Sequence, residues 1–134
     1  MVVQQHVGEI SDMMEMQRAL WTLHKDAWPP IEPAYGKDFI LYMMEEVGEC
    51  IAILKKKGGD AVVNDPAVRA HFLEEASDVL MYFTDMLLHY HVTPEELSRA
   101  YAEKHRRNSA SSASNSRSFL SSAMAGHSLL YNNT

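Results

Sequence analysis

Residues 44 to 59, MEEVGECIAILKKKGG, place Glu45, Glu46 and Glu49 inside a stretch with the apolar spacing of a helix, and EEASD at 74 to 78 adds Glu75 and Asp78. Arranged at about 100° per residue, Ile40, Met43, Val47, Cys50, Ile51 and Leu54 form one apolar stripe. Glu46 and Glu49 flank it beside Tyr42 and Ile53. Further along, Phe72, Ala76, Val79, Phe83, Met86 and Tyr90 make a second stripe, edged by Glu75, Asp78, Tyr82, Asp85 and His89. If the two edges meet, Glu46, Glu49, Glu75 and Asp78 gather where water is partly excluded, which is unfavourable unless protons or cations neutralise them. Carboxylate oxygens suit Mg²⁺ or Mn²⁺, as one tightly held ion or two looser ones, with coordination positions left for water and phosphate oxygens. The same acids also fit solvated helix faces paired with Lys55, Lys56 or Arg69. A di-iron carboxylate bundle would want Glu-x-x-His from two helices, a spacing the sequence lacks.

Four helices would position these groups, and no strand pattern competes. The first is predicted from about Asp12, with Asp12 and Glu15 as an acidic capping box, to the stop at Trp28-Pro29-Pro30. The second is predicted from about Asp38 to Lys57, ending at Gly58-Gly59. A loop, GGDAVVND, joins it to a third that starts with Asp65 as N-cap and Pro66 as first helical residue and runs to about His89, here read as a helix-end residue. Thr93-Pro94-Glu95-Glu96 begins a fourth, reaching about Arg107. After Asn108 the composition turns to Ser, Ala and Asn, so residues 1–108 are expected to form the domain and 109–134 a flexible tail.

With 134 residues the chain has room for one ordinary domain, and its 46% apolar and 22% charged content is that of a globular protein. A net charge of -6 argues against a general electrostatic grip on nucleic acid or on an anionic membrane. The lone Cys50 has no partner for a disulfide within the chain, and the N-terminal residues carry no basic segment followed by an apolar run. A cytoplasmic protein without a membrane anchor is the expectation.

EEVGE at 45–49 and EEASD at 74–78 resemble the paired E-E-x-x-E and E-x-x-D motifs of MazG-like all-α nucleoside triphosphate pyrophosphohydrolases, over roughly residues 10 to 108. The resemblance implies a four-helix bundle and hydrolysis of a nucleoside triphosphate between its α and β phosphates. It makes Glu46, Glu49, Glu75 and Asp78 the Mg²⁺ ligands, with Mn²⁺ as a substitute, and gives Glu45 the attacking water. Lys55 and Lys56, ahead of Gly58-Gly59, would meet phosphate charge at the mouth of the site. Lys104 and Asn108 are similar to the phosphate-binding Lys and Asn of many relatives, although SASSASNS stands where those relatives often continue with an Arg. Tyr82 stands where related enzymes place an aromatic residue against the base, and Trp28, Trp21 and His24 would complete a stacking pocket. The Met-rich faces, including Met13, Met16, Met44 and Met81, predict a homodimer or a dimer of dimers. Two alternatives are hydrolysis of a phosphoribosyl-nucleotide such as phosphoribosyl-ATP, and a catalytically silent helical adaptor that holds a metal or a basic partner.

Overall fold

The computed structural model describes residues 8–127, with side chains through residue 111; among the described residues all regular structure is helical. One compact unit ends at Pro94 and a second begins at Glu95. The first unit therefore closes well before residue 108.

Helix α1 (Ile10–Leu23) starts earlier than the Asp12 expected to cap it. Asp12 instead occupies the third helical position, where its carboxylate accepts the Glu9 backbone N–H at 3.1 Å, so the acidic box pairs Glu9 with Asp12 rather than Asp12 with Glu15. The helix also ends earlier than the expected stop at Trp28-Pro29-Pro30: it closes at Leu23, and a turn follows in which the amides of Ala27 and Trp28 reach back to the His24 carbonyl, each at 2.9 Å, before Pro29 and Pro30. Helix α2 (Pro33–Lys57) begins at Pro33 rather than about Asp38. Proline suits a first helical position because its φ is already helical and its missing N–H would have had no partner there.

The link read as a loop contains a short helix, α3 (Gly59–Asn64), with Val62 buried beneath it. Gly58 separates α2 from α3 at φ 84°, in the left-handed region that favours glycine. Helix α4 (Pro66–His89) has the predicted bounds, and the Asp65 carboxylate accepts the N–H groups of Ala67 and Val68 at 3.0 and 3.4 Å. It stops in a Schellman arrangement: Val92 N–H reaches the Leu87 carbonyl at 2.9 Å and His91 N–H the Leu88 carbonyl at 3.1 Å, with His91 at φ 55°.

Helices α2 and α4 pack along their lengths, with α1 and α3 against α4. They run antiparallel: Gly36 faces the Tyr90 ring, Phe39 stacks on His89 at 4.4 Å, Tyr42 meets Tyr82 at 5.7 Å, and Glu46 lies opposite Glu75 and Asp78. This register corrects the predicted apolar stripe. On α2 the buried residues are Gly36, Phe39 and Ile53, whereas Ile51 and Leu54 are 50% and 41% exposed. The face toward α4 follows Gly36, Phe39, Met43, Glu46, Cys50 and Ile53, which takes Glu46 into the interface. On α4 the expected apolar residues Phe72, Val79 and Phe83 are only half-buried and Tyr90 is exposed, while Asp85 and His89 are buried. His89, expected merely to end a helix, is an interior residue at 0% exposure.

In the second unit, α5 (Pro94–His127) continues through the composition change at Asn108 instead of stopping near Arg107. No Pro or Gly interrupts residues 95–125, and Ala, Leu, Met and Arg favour helix enough to continue it. Glu103 also pairs with Arg106 at 2.9 Å, and the Ser109 hydroxyl donates to the His105 carbonyl at 2.9 Å. Residues 128–134, the end of the expected tail, lie outside the described residues.

Candidate metal site and adjoining pocket

The antiparallel register of α2 and α4 brings Glu46 to Glu75 and Asp78. One carboxylate oxygen from each lies within 4.8 Å of the others, and all three side chains are half-buried. Burial foremost, then a hydrogen bond with Glu75 and the charges of Asp78, Glu75 and Glu49, pushes the Glu46 carboxyl above its ordinary value. Among the described residues no Lys or Arg pairs with these acids; the partner found is His71, whose Nε2 is 3.1 Å from Glu75 Oε1. Surface pairing with Lys55, Lys56 or Arg69 therefore does not account for the cluster. Cys50 lies on the same face of α2, but burial, then the Glu75 charge, raises its thiol, so oxygen is the donor type on offer. An oxygen-only set carrying excess negative charge fits a hard divalent cation.

The predicted fourth ligand, Glu49, is exposed and stands outside this set of three, although its charge reaches Glu46. Glu45 is exposed as well; its charge, after burial and the charges of Glu46, Asp78 and Asp85, adds to the rise of the Tyr82 phenol. Lys55 and Lys56 are exposed in the last turn of α2, roughly 13 Å along the helix axis from Glu46. The structure does not bring them to the carboxylates. Lys104 and Asn108 are exposed on α5, in the second unit.

A pocket of about 420 Å³ opens among α1, α2 and α4, and Asp78 lines it as well as belonging to the carboxylate set. Site and pocket are thus continuous. Trp21, Trp28, Tyr42 and Tyr82 supply aromatic walls, so three of the four residues expected to seat a base line one cavity. His24 does not line it but stacks on the Trp28 ring at 4.4 Å and 24°, supporting that wall from outside.

Among the polar lining residues are Gln17, absent from the sequence reading, and Asp85, placed there on the edge of a helix without a role. Asp85, 5% exposed, accepts the Trp21 indole N–H at 2.8 Å and the Gln17 amide N–H at 3.0 Å, both on Oδ1. Burial raises its carboxyl, and the two donors oppose that rise. A signal for this arrangement existed: a buried tryptophan needs an acceptor for its N–H, and Gln17 and Trp21 share a helix face at i, i+4. Beside them His89 Nδ1 donates to the Asp85 carbonyl at 2.7 Å, and its ring stacks on Phe39. Its Nε2 is the fully buried side-chain polar atom without a partner among the described residues.

No family model, curated protein or solved structure matches the chain. Its functional reading stands on the chemistry of this site.

Proposed function

We propose that the chain is a divalent-cation-dependent nucleoside triphosphate pyrophosphohydrolase, releasing the nucleoside monophosphate and pyrophosphate. The supporting observation is that the three carboxylates Glu46, Glu75 and Asp78 adjoin an aromatic pocket through a shared residue, Asp78. The carboxylates would hold the cation at one end while Trp28, Tyr42 and Tyr82 enclose a flat base at the other. Mg²⁺ or Mn²⁺ held there would neutralise phosphate oxygens and acidify a water. Glu49, exposed next to Glu46, is a further carboxylate available to the ion, and Glu45 is assigned to orient the attacking water. Attack by the water's oxygen at the α phosphorus would release the bridging oxygen with pyrophosphate, the water's proton passing to Glu45 or solvent, so no covalent nucleophile from the chain would be required.

Met44, Ile51 and Leu54 form a half-exposed apolar row on α2, which supports a homo-oligomer, dimer or tetramer, as the working assembly. No described helix is long and apolar enough to cross a membrane. The lone thiol at Cys50 suits a reducing compartment such as the cytoplasm.

Product analysis tests the reading. Purified protein is given a panel of nucleoside triphosphates and phosphoribosyl-ATP, with and without Mg²⁺, and mono-, di-, pyro- and orthophosphate are resolved. Cation-dependent monophosphate plus pyrophosphate, abolished in Glu46→Gln, is expected. Diphosphate and orthophosphate would show cleavage at the wrong bond, and absence of turnover on every triphosphate would overturn the reading.

A further inference from the structure

We propose that Asp85 reads the base in this pocket and selects nucleobases that carry an exocyclic amino group over uracil and thymine. The inference rests on the pocket accepting a nucleotide, as proposed above.

Asp85 is held in place. Trp21 Nε1 and Gln17 Nε2, at 2.8 and 3.0 Å, both bond to Oδ1, which leaves the carboxylate little freedom to rotate. Among the described residues no donor reaches Oδ2. Nor is that oxygen sealed in the core, because the fully buried partnerless polar atom is His89 Nε2 and Asp85 lines the pocket. A nearly buried acid therefore offers one free acceptor to the cavity.

The surrounding walls define the orientation of what enters. Asp78 marks the phosphate end through its place among the carboxylates, and Trp28, Tyr42 and Tyr82 favour a planar ring between it and Asp85. An ionised carboxylate oxygen only accepts, so the edge it meets must donate. Cytosine, adenine and guanine each present an amino N–H there, whereas thymine and uracil present carbonyl oxygens on both sides of a single imino N–H. In the orientation that sets an amino N–H against Oδ2, thymine or uracil would aim a carbonyl there and be repelled, and offering the imino N–H instead requires the ring to shift while its phosphates stay at the carboxylates. Gln17 reinforces the pattern. One of its amide N–H groups is committed to Asp85, and the second remains to donate to the unprotonated ring nitrogen beside the amino group of cytosine or adenine, or to the guanine carbonyl oxygen.

Two measurements test this. Binding of dCMP, dAMP, dGMP, dTMP and dUMP is followed by the fluorescence of Trp21 and Trp28, and kcat/KM is compared across the matching triphosphates with Mg²⁺. Amino-bearing bases are expected to be favoured by about 10- to 100-fold over thymine and uracil. In Asp85→Asn the carbonyl oxygen keeps the bonds from Trp21 and Gln17, so the amide N–H₂ faces the pocket in place of Oδ2. The preference should then fall by at least about 10-fold, toward thymine and uracil. Equal binding of the five monophosphates, or a ranking that Asp85→Asn leaves unchanged, overturns the inference. Should the variant not fold, the wild-type ranking decides alone. Turnover without base ranking removes this inference and keeps the proposed reaction; ranked monophosphate binding without any turnover does the reverse.

Discussion

Asp78 and Asp85 lie on the same face of α4, roughly 10 Å apart along its axis, and the fold treats them in opposite ways. Asp78 is set against two other acids, and among the described residues no Lys or Arg pairs with it. Asp85 is buried further, yet two N–H donors meet it. Burial alone does not tell what each acid offers a ligand; the character of the neighbours does. An acid with one oxygen held by donors has its geometry fixed and leaves the other oxygen to accept, whereas an acid among acids leaves charge for something from outside to neutralise.

The largest effects should separate the two sites by kind. Asp78→Asn is expected to lower triphosphate turnover by about 100-fold or more, while the fold without metal stays as stable or gains slightly as a like charge disappears. A marked fall in its melting temperature would make the cluster structural and erase the contrast. Asp85→Ala should act the other way, costing about 2–4 kcal/mol in denaturant unfolding, because Trp21 Nε1 and Gln17 Nε2 are left without an acceptor. Asp85→Asn should restore most of that loss.

Mg²⁺ sharpens the comparison through pH. At 100 times its dissociation constant it should stabilise the folded chain by about 2.7 kcal/mol near neutrality, read as a rise in melting temperature. Glu46 titrates above its ordinary 4.5 in the folded state, so its protonated form is the one folding favours. Without metal, its contribution to stability is fully present below 4.5 and is lost as pH rises through the raised value. With Mg²⁺ the order reverses: the proton competes with the ion, and the metal-dependent gain fades as pH falls through that same window. A Mg²⁺ effect that is flat across this range would detach the ion from Glu46.

The two ends of α4, which hold both acids in register, should respond more weakly. Asp65→Ala removes the acceptor for Ala67 and Val68 and should cost about 1 kcal/mol in thermal or denaturant melts. His91→Gly should stabilise by about 0.5–1 kcal/mol, since glycine takes the left-handed position after the helix without strain. A loss in His91→Gly would mean that the imidazole makes a contact worth more than the strain.

Legibility followed the range of the interactions. The bounds of α4 were readable because Asp65 and Pro66 act on the amides next to them. Pro33 carries the same kind of signal for α2, which begins there rather than at Asp38. The change to Ser and Ala after Asn108 suggests a tail, but Ala favours helix and, with no breaker before Gly126, α5 simply continues. Motif spacing points to Glu46, Glu75 and Asp78, whereas Glu49 follows the same spacing and yet lies outside the set. Asp85 and His89 were visible on the correct edge of α4. Their interior role was not, because an apolar pattern assigns acids and imidazoles to the rim unless the donors from another helix are known.

The sequence by itself determined the all-helical character of the described residues and the placement of paired acids on two long helices, since both depend on residue type and on spacing within a turn or two. Tertiary structure decided which acids meet one another and which meet donors. Periodicity gives a side chain's angle about its own helix axis, but the rotation and register of α2, α4 and α1 against one another come from the packing of Trp21, Phe39, Leu88 and His89 between them.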